Sequence, residues 1–316
     1  MKSYQNSKNI RIIENLHKPV LIKEVCELLR VDYYRGKKAK FIDATCGLGG
    51  HSREFIKRDI SVLGIDADSQ SLNIAELNLK EACPTPIDSR SLSFKLQQGN
   101  FKNIVSFARK TGFSKSDGIL FDLGISSYQL AEAKRGFSFA QEGILDMRLD
   151  VGSQGVRAKD LLNSLNKQSL KQLFTEVIDD RRKVTRLVKG IIAKRQVETI
   201  ETVSDFLEVI GNINFRSKGK NVATLPFLAL RIAVNFELES LKIALEGAYE
   251  LLKSGGRLAV ISFHSGEDRI VKSFIRESAA QKKFNVITKN PILPGRLEIL
   301  DNPRSRSAKL RVAEKI

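Results

Sequence analysis

The 316-residue chain has no tryptophan, two methionines, three histidines and three cysteines, and no apolar run approaches the ~18 residues of a membrane-spanning helix. Each scarcity narrows the field. Cys26, Cys46 and Cys83 are odd in number and far apart, which argues against a disulfide framework and a zinc cluster and for a reducing compartment. No metal site is expected. Residues Met1 to Asn15 are polar and lysine-bearing without the apolar stretch of a signal peptide, so the expected location is the cytoplasm, with no membrane partner. Acidic residues are also short: 36 against 53 basic ones leave a net charge of +17, and a polyanion is the leading partner, nucleic acid ahead of a membrane surface. With 42% hydrophobic and 28% charged residues the chain is otherwise an ordinary globular one, long enough for two domains.

Short apolar runs alternate with helical patterns through the first 125 residues or so. Lys40 to Ala44, Ser61 to Ile65, Phe94 to Gln97 and Gly118 to Leu123 read as strands, with a helix near Asp68 to Glu81, an alternation that implies a parallel α/β sheet. From Ala158 to Ile210 only charge-rich helical patterns occur. Strand signals return after a long amphipathic helix, about Leu225 to Lys253, that stops at Ser254-Gly255-Gly256. Arg257 to Phe263 is then a buried strand, and Phe284 to Thr288 with Lys309 to Glu314 a closing antiparallel pair. The sheet is thus divided in sequence by a helical insertion, giving segments 1–134, 135–222 and 223–316.

The first strand runs into Asp43-Ala-Thr-Cys-Gly47-Leu-Gly49-Gly50-His51, a turn where backbone can approach a ligand closely. Alone, such a turn is as often structural as functional. Asp66, at the end of the second strand, follows Gly47 by 19 residues, near the ~20 expected of an acid that binds adenosine ribose hydroxyls. A dinucleotide would set its pyrophosphate at the helix start, where Asp43 repels it. A ligand with a sulfonium and an ammonium suits that carboxylate, so S-adenosyl-L-methionine fits better than NAD. Phe101 and Asp122 follow the third and fourth strands, in the crevice where open α/β sheets bind ligands. A single Phe there is more often core than an adenine platform, whereas an acid at a strand end is more often functional.

DATCGLGGHS, GIDADSQSL, DGILFDLGISSYQL, RGFSF, LDMRLD, ALRIAVNFEL, ISFHSGEDRIVK and NPRSRSAKLRVAE, in this order, resemble the bacterial small-subunit ribosomal RNA methyltransferase H family, over nearly the whole chain from His17 onward. The resemblance implies a Rossmann-like class I methyltransferase sheet with a helical, substrate-recognising insertion. It implies transfer of a methyl group from S-adenosyl-L-methionine to the exocyclic N4 of a decoding-centre cytidine in small-subunit rRNA. Carried across position by position, its cofactor contacts fall on Gly49, Gly50, His51, Asp66, Phe101, Asp122 and Gln129; spacing alone suggested nothing for His51. The pattern departs at Tyr128, where proline is usual, at Gly266, where leucine is usual, and at Val177-Ile-Asp-Asp180, where a Tyr-Gly-Glu-Glu tract is common. These departures touch substrate contacts and turnover rather than cofactor binding.

Cytosine N4 is a poor nucleophile because its lone pair is delocalised into the ring, so attack needs in-line positioning and acceptors for the amine protons. Asp122, Ser126 and Ser127 stand after the fourth strand, where other amino-methyltransferases carry Asp/Asn-Pro-Pro-aromatic, and are the candidate catalytic acceptors. No cysteine is placed for attack at carbon 5. Ser265 with Asp268 reads as a helix capping box, His264 and Arg269 as substrate-facing, and Arg135, Arg148, Arg304, Arg306, Lys309 and Arg311 as candidate phosphate contacts. Two rivals stay open: a methyltransferase of another acceptor, and an RNA-binding ribosome-assembly factor with a relic cofactor site. The sequence leaves the oligomeric state open.

Overall fold

The structure, a computed structural model, describes residues 18–83, 94–211 and 221–316. The chain divides into two compact units, Met1–Ser126 with Leu238–Ile316, and Ser127–Glu237. In the first, Lys40–Asp43 (β1), Ser61–Asp66 (β2), Phe94–Gln98 (β3), Ser116–Asp122 (β4), Leu252–Ser262 (β5), Phe284–Val286 (β6) and Lys309–Lys315 (β7) form one sheet in the order β3-β2-β1-β4-β5-β7-β6. β1 to β5 are parallel, and β7 runs antiparallel to both β5 and β6. This is a doubly wound, Rossmann-like arrangement, and its strand order reverses between β1 and β4.

Successive residues of a strand face opposite sides, so both faces of this sheet need cover. Ile42, Leu63, Ile119, Phe121 and Val260 pack with Leu245, Ala248, Val271 and Ile275 of helices Glu237–Leu251 and Ser265–Ala280. Their neighbours Phe41, Val62, Leu120, Ala259 and Ile261 pack on the other side with Val25, Phe55 and Leu79 of helices Ile22–Leu28, Gly50–Ile56 and Ser69–Ala82. All of these side chains are buried.

The second unit is helical: Ala158–Ser164, Lys167–Thr175, Arg181–Val197, Val203–Gly211 and Thr224–Asn235 follow the short helix Ser127–Ala131. Its interior carries a run of rings, Phe174 against Phe206, Phe206 against Phe227 and Phe227 against Phe139, with centroids 6.4, 5.4 and 5.6 Å apart. The departure at Val177 to Asp180 has a local explanation: Ile178 is buried, and Asp180 caps helix Arg181–Val197 by accepting from the Arg182 and Lys183 N–H groups.

The expected helix from Leu225 to Lys253 is two helices, Thr224–Asn235 and Glu237–Leu251, broken at Phe236, whose φ is 52°. Buried Asn235 anchors the break: its amide donates to the Met147 and Arg231 carbonyls, and its oxygen accepts from the Leu149 N–H. Arg231 and Glu237 then pair in a fork across it at 2.9 and 2.8 Å. Ser254-Gly255-Gly256 is not a break before the fifth strand either. The tract lies within β5 as an irregularity, the β4 partner shifting between Ser116 and Gly118, with Gly255 at φ 75°.

Candidate active site

β1, β2 and β4 each end in an acid, Asp43, Asp66 and Asp122, so the strand ends flanking the reversal are lined with carboxyl groups in a chain of net charge +17. Asp43 is 1% exposed; Ser52 Oγ donates to its Oδ2 at 2.7 Å and the Thr45 N–H to its Oδ1 at 3.4 Å. Burial outweighs these bonds and pushes its pKa up to about 6. Asp66 accepts from the Gly47 N–H at 2.8 Å and the Asp68 N–H at 2.9 Å, and burial likewise raises it to about 6. These two bonds tie the glycine turn to the β2 end and fix the carboxylate that the spacing predicts for ribose hydroxyls.

Asp122 is more constrained. Its backbone N–H is held by Thr45 Oγ1 at 2.6 Å, its Oδ2 lies 3.5 Å from His51 Nδ1, and its Oδ1 is buried without a hydrogen-bond partner among the described residues. Burial, then the neighbouring charges of Asp43 and Glu267, pushes its pKa well above the carboxylate range. His51 is buried, and its Nε2 lies 3.0 Å from the Val20 carbonyl, which can only accept, so that nitrogen carries the proton.

The glycines of the turn are required by packing inside the protein. A Cβ on Gly50 would stand 2.8 Å from Pro19 Cγ, and Gly49, at φ 85°, faces Leu79. Gly47, at φ 52°, has no heavy atom closer than 4.0 Å to that position and is the open point of the turn. Phe101, half-buried, stands edge-on to buried Phe121 with centroids 5.8 Å apart. Ser126 is buried at the end of the sheet unit. Ser127 and Gln129 belong to helix Ser127–Ala131 of the helical unit, where Gln129 is buried, and the expected acceptor side chain of Ser127 lies outside the described residues.

The capping box at the end of β5 is His264 with Glu267, not Ser265 with Asp268. His264 Nδ1 accepts from the Glu267 N–H at 3.4 Å, and the Glu267 carboxylate accepts from the Phe263 and His264 N–H groups at 2.8 and 3.2 Å. Asp268 is bound instead by Arg311 at 2.7 Å and Lys309 at 3.2 Å. Internal bonds also hold Arg135, which donates to the Arg148 and Leu149 carbonyls, and Arg148, which forks onto Asp146. Of the expected phosphate contacts, Arg304 and Arg306 are exposed. Thr45, Ser52 and Glu267 were not singled out by sequence. Thr45 and Ser52 lie inside the quoted motif, but nothing in a linear pattern says which acid a hydroxyl will meet.

Among the described residues no group of His, Cys, Asp and Glu could hold a metal ion, and no helix is long and apolar enough to cross a membrane. Desolvated carboxyls held above their ordinary pKa, one with an orphaned oxygen, fit a ligand bearing positive charge and hydroxyls. An acid-lined reversal point on this sheet marks the Rossmann-like class I methyltransferases that use S-adenosyl-L-methionine, and the protein is one of them. Residues 14–316 match the MraW methylase family, and the chain belongs to it. It is 37% identical over 309 residues to the ribosomal RNA small subunit methyltransferase H of Thermotoga neapolitana, covering 96% of this chain and 98% of that one. The proteins of the same name from Caldicellulosiruptor bescii and Halothermothrix orenii are 36% and 38% identical, each over 95% of this chain. Among solved structures, an rRNA methylase from Streptococcus thermophilus aligns at 12% identity with a TM-score of 0.42, over 90% of this chain and 92% of that one.

Proposed function

We propose that the protein methylates the exocyclic N4 of a cytidine in the decoding centre of small-subunit rRNA, by direct transfer, in the cytoplasm where ribosomes assemble. The observation that carries this reading is 36–38% identity over nearly the whole chain to proteins named ribosomal RNA small subunit methyltransferase H, joined to an acid with a buried, unpartnered oxygen at the reversal point of the sheet. S-adenosyl-L-methionine supplies an electrophilic methyl group on a sulfonium. Asp66 would hold its ribose hydroxyls and Phe101 would pack on its adenine. The Gly49-Gly50-His51 backbone and Gln129 would hold its amino-acid end, while the Asp43 carboxylate would set the negative field that favours a cation.

Asp122 then acts on the incoming base. One proton is shared between its Oδ2 and His51 Nδ1, since the other imidazole nitrogen is committed to Val20. Oδ1 is therefore left as an acceptor for an N4–H, and Ser126 is the second acceptor. Holding both amine protons aligns the nitrogen lone pair with the methyl group. The Asp122 and His51 pair would take up the proton that the amine nitrogen gives up on methylation and return it to water. The target base leaves its stack to reach the site, at a cost of a few kcal/mol that is least in loosely paired RNA.

The test is methyl transfer from labelled S-adenosyl-L-methionine to small ribosomal subunits that lack the modification, followed by nucleoside analysis. N4-methylated cytidine at one site is the expected result. Transfer to another base overturns the reading. So does cofactor binding without transfer to subunits at any stage of assembly, which is the behaviour of an assembly factor.

A further inference from the structure

Behind the glycine turn, on the outer side of helix Gly50–Ile56, lies a cavity of about 400 Å³. That is nucleotide-sized space, within the ~300–1,000 Å³ common for ligand pockets. Lys18, Lys23, Arg53, Lys57 and Arg58 line it, against the single acid Glu54. These cations come from separate pieces of chain: Lys18 just before helix Ile22–Leu28, Lys23 within it, Arg53 within helix Gly50–Ile56, and Lys57 and Arg58 directly after. Glu54 is already shared between Lys57 and Arg58, at 2.7 and 2.8 Å, and Arg58 also pairs with Asp32 at 2.8 Å. Lys18 pairs with Asp301, and Lys23 has no ion pair among the described residues. The cavity therefore keeps a positive excess, and its concave, partly apolar wall concentrates the field of those charges. Pro19, Ile22 and Leu48 supply that apolar wall.

This cavity is chemically the opposite of the acid-lined strand ends. Gly49 and Gly50 of the glycine turn form part of its wall, but Asp43, Asp66, Phe101 and Asp122 do not line it, and its surplus cations repel the sulfonium and ammonium that those acids favour. Cations converging from several segments around a space with an apolar face match a phosphate ester joined to a flat ring. We propose that the cavity is a second binding site, taking a nucleotide through its phosphate, with the base or ribose against Pro19, Ile22 and Leu48. A free mononucleotide and a nucleotide within RNA present the same chemistry, and choosing RNA as the source rests on the function proposed above.

The test is calorimetric titration of the full chain with cytidine 5′-monophosphate, cytidine, inorganic phosphate and a twelve-nucleotide single-stranded RNA. Three proteins are compared: wild type, Lys23→Glu with Lys57→Glu, and a charge-matched control, Lys242→Glu with Lys272→Glu, at exposed positions on helices outside the cavity. Wild type and control should bind the monophosphate at least about tenfold tighter than cytidine, with inorganic phosphate competing, and the cavity variant should lose about tenfold. Affinity for S-adenosyl-L-methionine and the melting temperature should be unchanged in the cavity variant, and Lys23→Gln with Lys57→Gln should give an intermediate loss. Binding of the RNA alone, weakened in the cavity variant and not in the control, also supports the site and makes RNA its source. Equal binding of cytidine and its monophosphate, no binding of either phosphate-bearing probe, or equal losses in the cavity variant and the control would overturn the proposal. Methyl transfer is scored separately, so its absence would remove the proposed function and leave the nucleotide site standing.

Discussion

His51 Nδ1 lies 3.5 Å from Asp122 Oδ2 while His51 Nε2 faces the Val20 carbonyl at 3.0 Å, so one buried ring joins the segment before the first helix to the acid at the end of β4. A proton on that pair belongs to both groups. It sits beside Asp43 and Glu267, whose charges oppose ionisation of Asp122.

Replacing Asp122 by Asn therefore separates chemistry from folding. The amide keeps an acceptor oxygen but cannot take a proton, and single-turnover methyl transfer should slow by ~10²-fold or more. Removing an acid crowded by other acids should leave the melting temperature unchanged or higher. If Asp122→Asn transferred methyl groups at the wild-type rate, the acceptor role would be wrong.

Asp43 and Asp66 give a pH signature with a definite sign. Both are raised in the folded chain to about 6, from ~3.9 for an unfolded Asp. The native state thus binds more protons than the unfolded one between these values, so the cofactor-free protein loses stability as pH rises from ~4 to ~6 and levels off above. For buried Asp43 the loss is on the order of 2–3 kcal/mol. Cofactor binding runs the other way, because a cation competes with the proton, so affinity should rise from pH 5 to pH 7 with proton release. Denaturant melts across this range, and calorimetry in buffers of different ionisation enthalpy, check both. Flat melts, or an affinity that falls with pH, would refute the assignment.

The parallel sheet was legible because its strands are short apolar runs, three of which end in Asp, and two of those acids, Asp66 and Asp122, are proposed cofactor contacts that the strand pattern already singles out. Two kinds of feature escaped. One depends on long-range bonds: Asn235 looks like an ordinary helical residue until the Met147 and Leu149 backbone groups arrive to break the helix after it. The other depends on a rare chemical choice. Histidine is an uncommon N-cap, so the pattern around Ser265 and Asp268 pointed one residue too far along, while Asp268 was needed by Arg311. Hydroxyls such as Thr45 escaped for a simpler reason, since a strand end offers them several partners at equal sequence distance.

The glycine of RGFSF serves packing in the helical unit. Gly136 has φ 67°, and a Cβ there would stand 2.4 Å from the Ile144 carbonyl oxygen. Neither backbone nor strain can be relieved by a rotamer change. Gly136→Ala should cost ~2–4 kcal/mol and lower the melting temperature by several degrees. Gly152→Ala is the control, since its nearest neighbour is the Asp150 carboxylate at 3.4 Å and its φ is not positive. Equal melting temperatures for the two variants would contradict the packing account.

Contact with RNA, on the reading of the chain as an rRNA methyltransferase, has a face to test. Helix Arg181–Val197 buries Val184, Leu187, Val188 and Ile191, and its sequence contains no acid. Arg182, Arg186 and Lys189 are exposed at spacings of four and three residues, one turn of ~5.4 Å apart, with the capping Asp180 at the foot of the row. Three cations on phosphates release about three counterions, and each contributes ~0.7 to the slope of log affinity against log salt for single-stranded RNA. Arg182→Glu with Arg186→Glu and Lys189→Glu should therefore flatten that slope by about 2 and weaken RNA binding at low salt, with cofactor affinity unaltered. A slope unchanged in this variant would place the RNA elsewhere, and a flat response in the wild-type protein would mean that its net charge of +17 does not act on RNA at all.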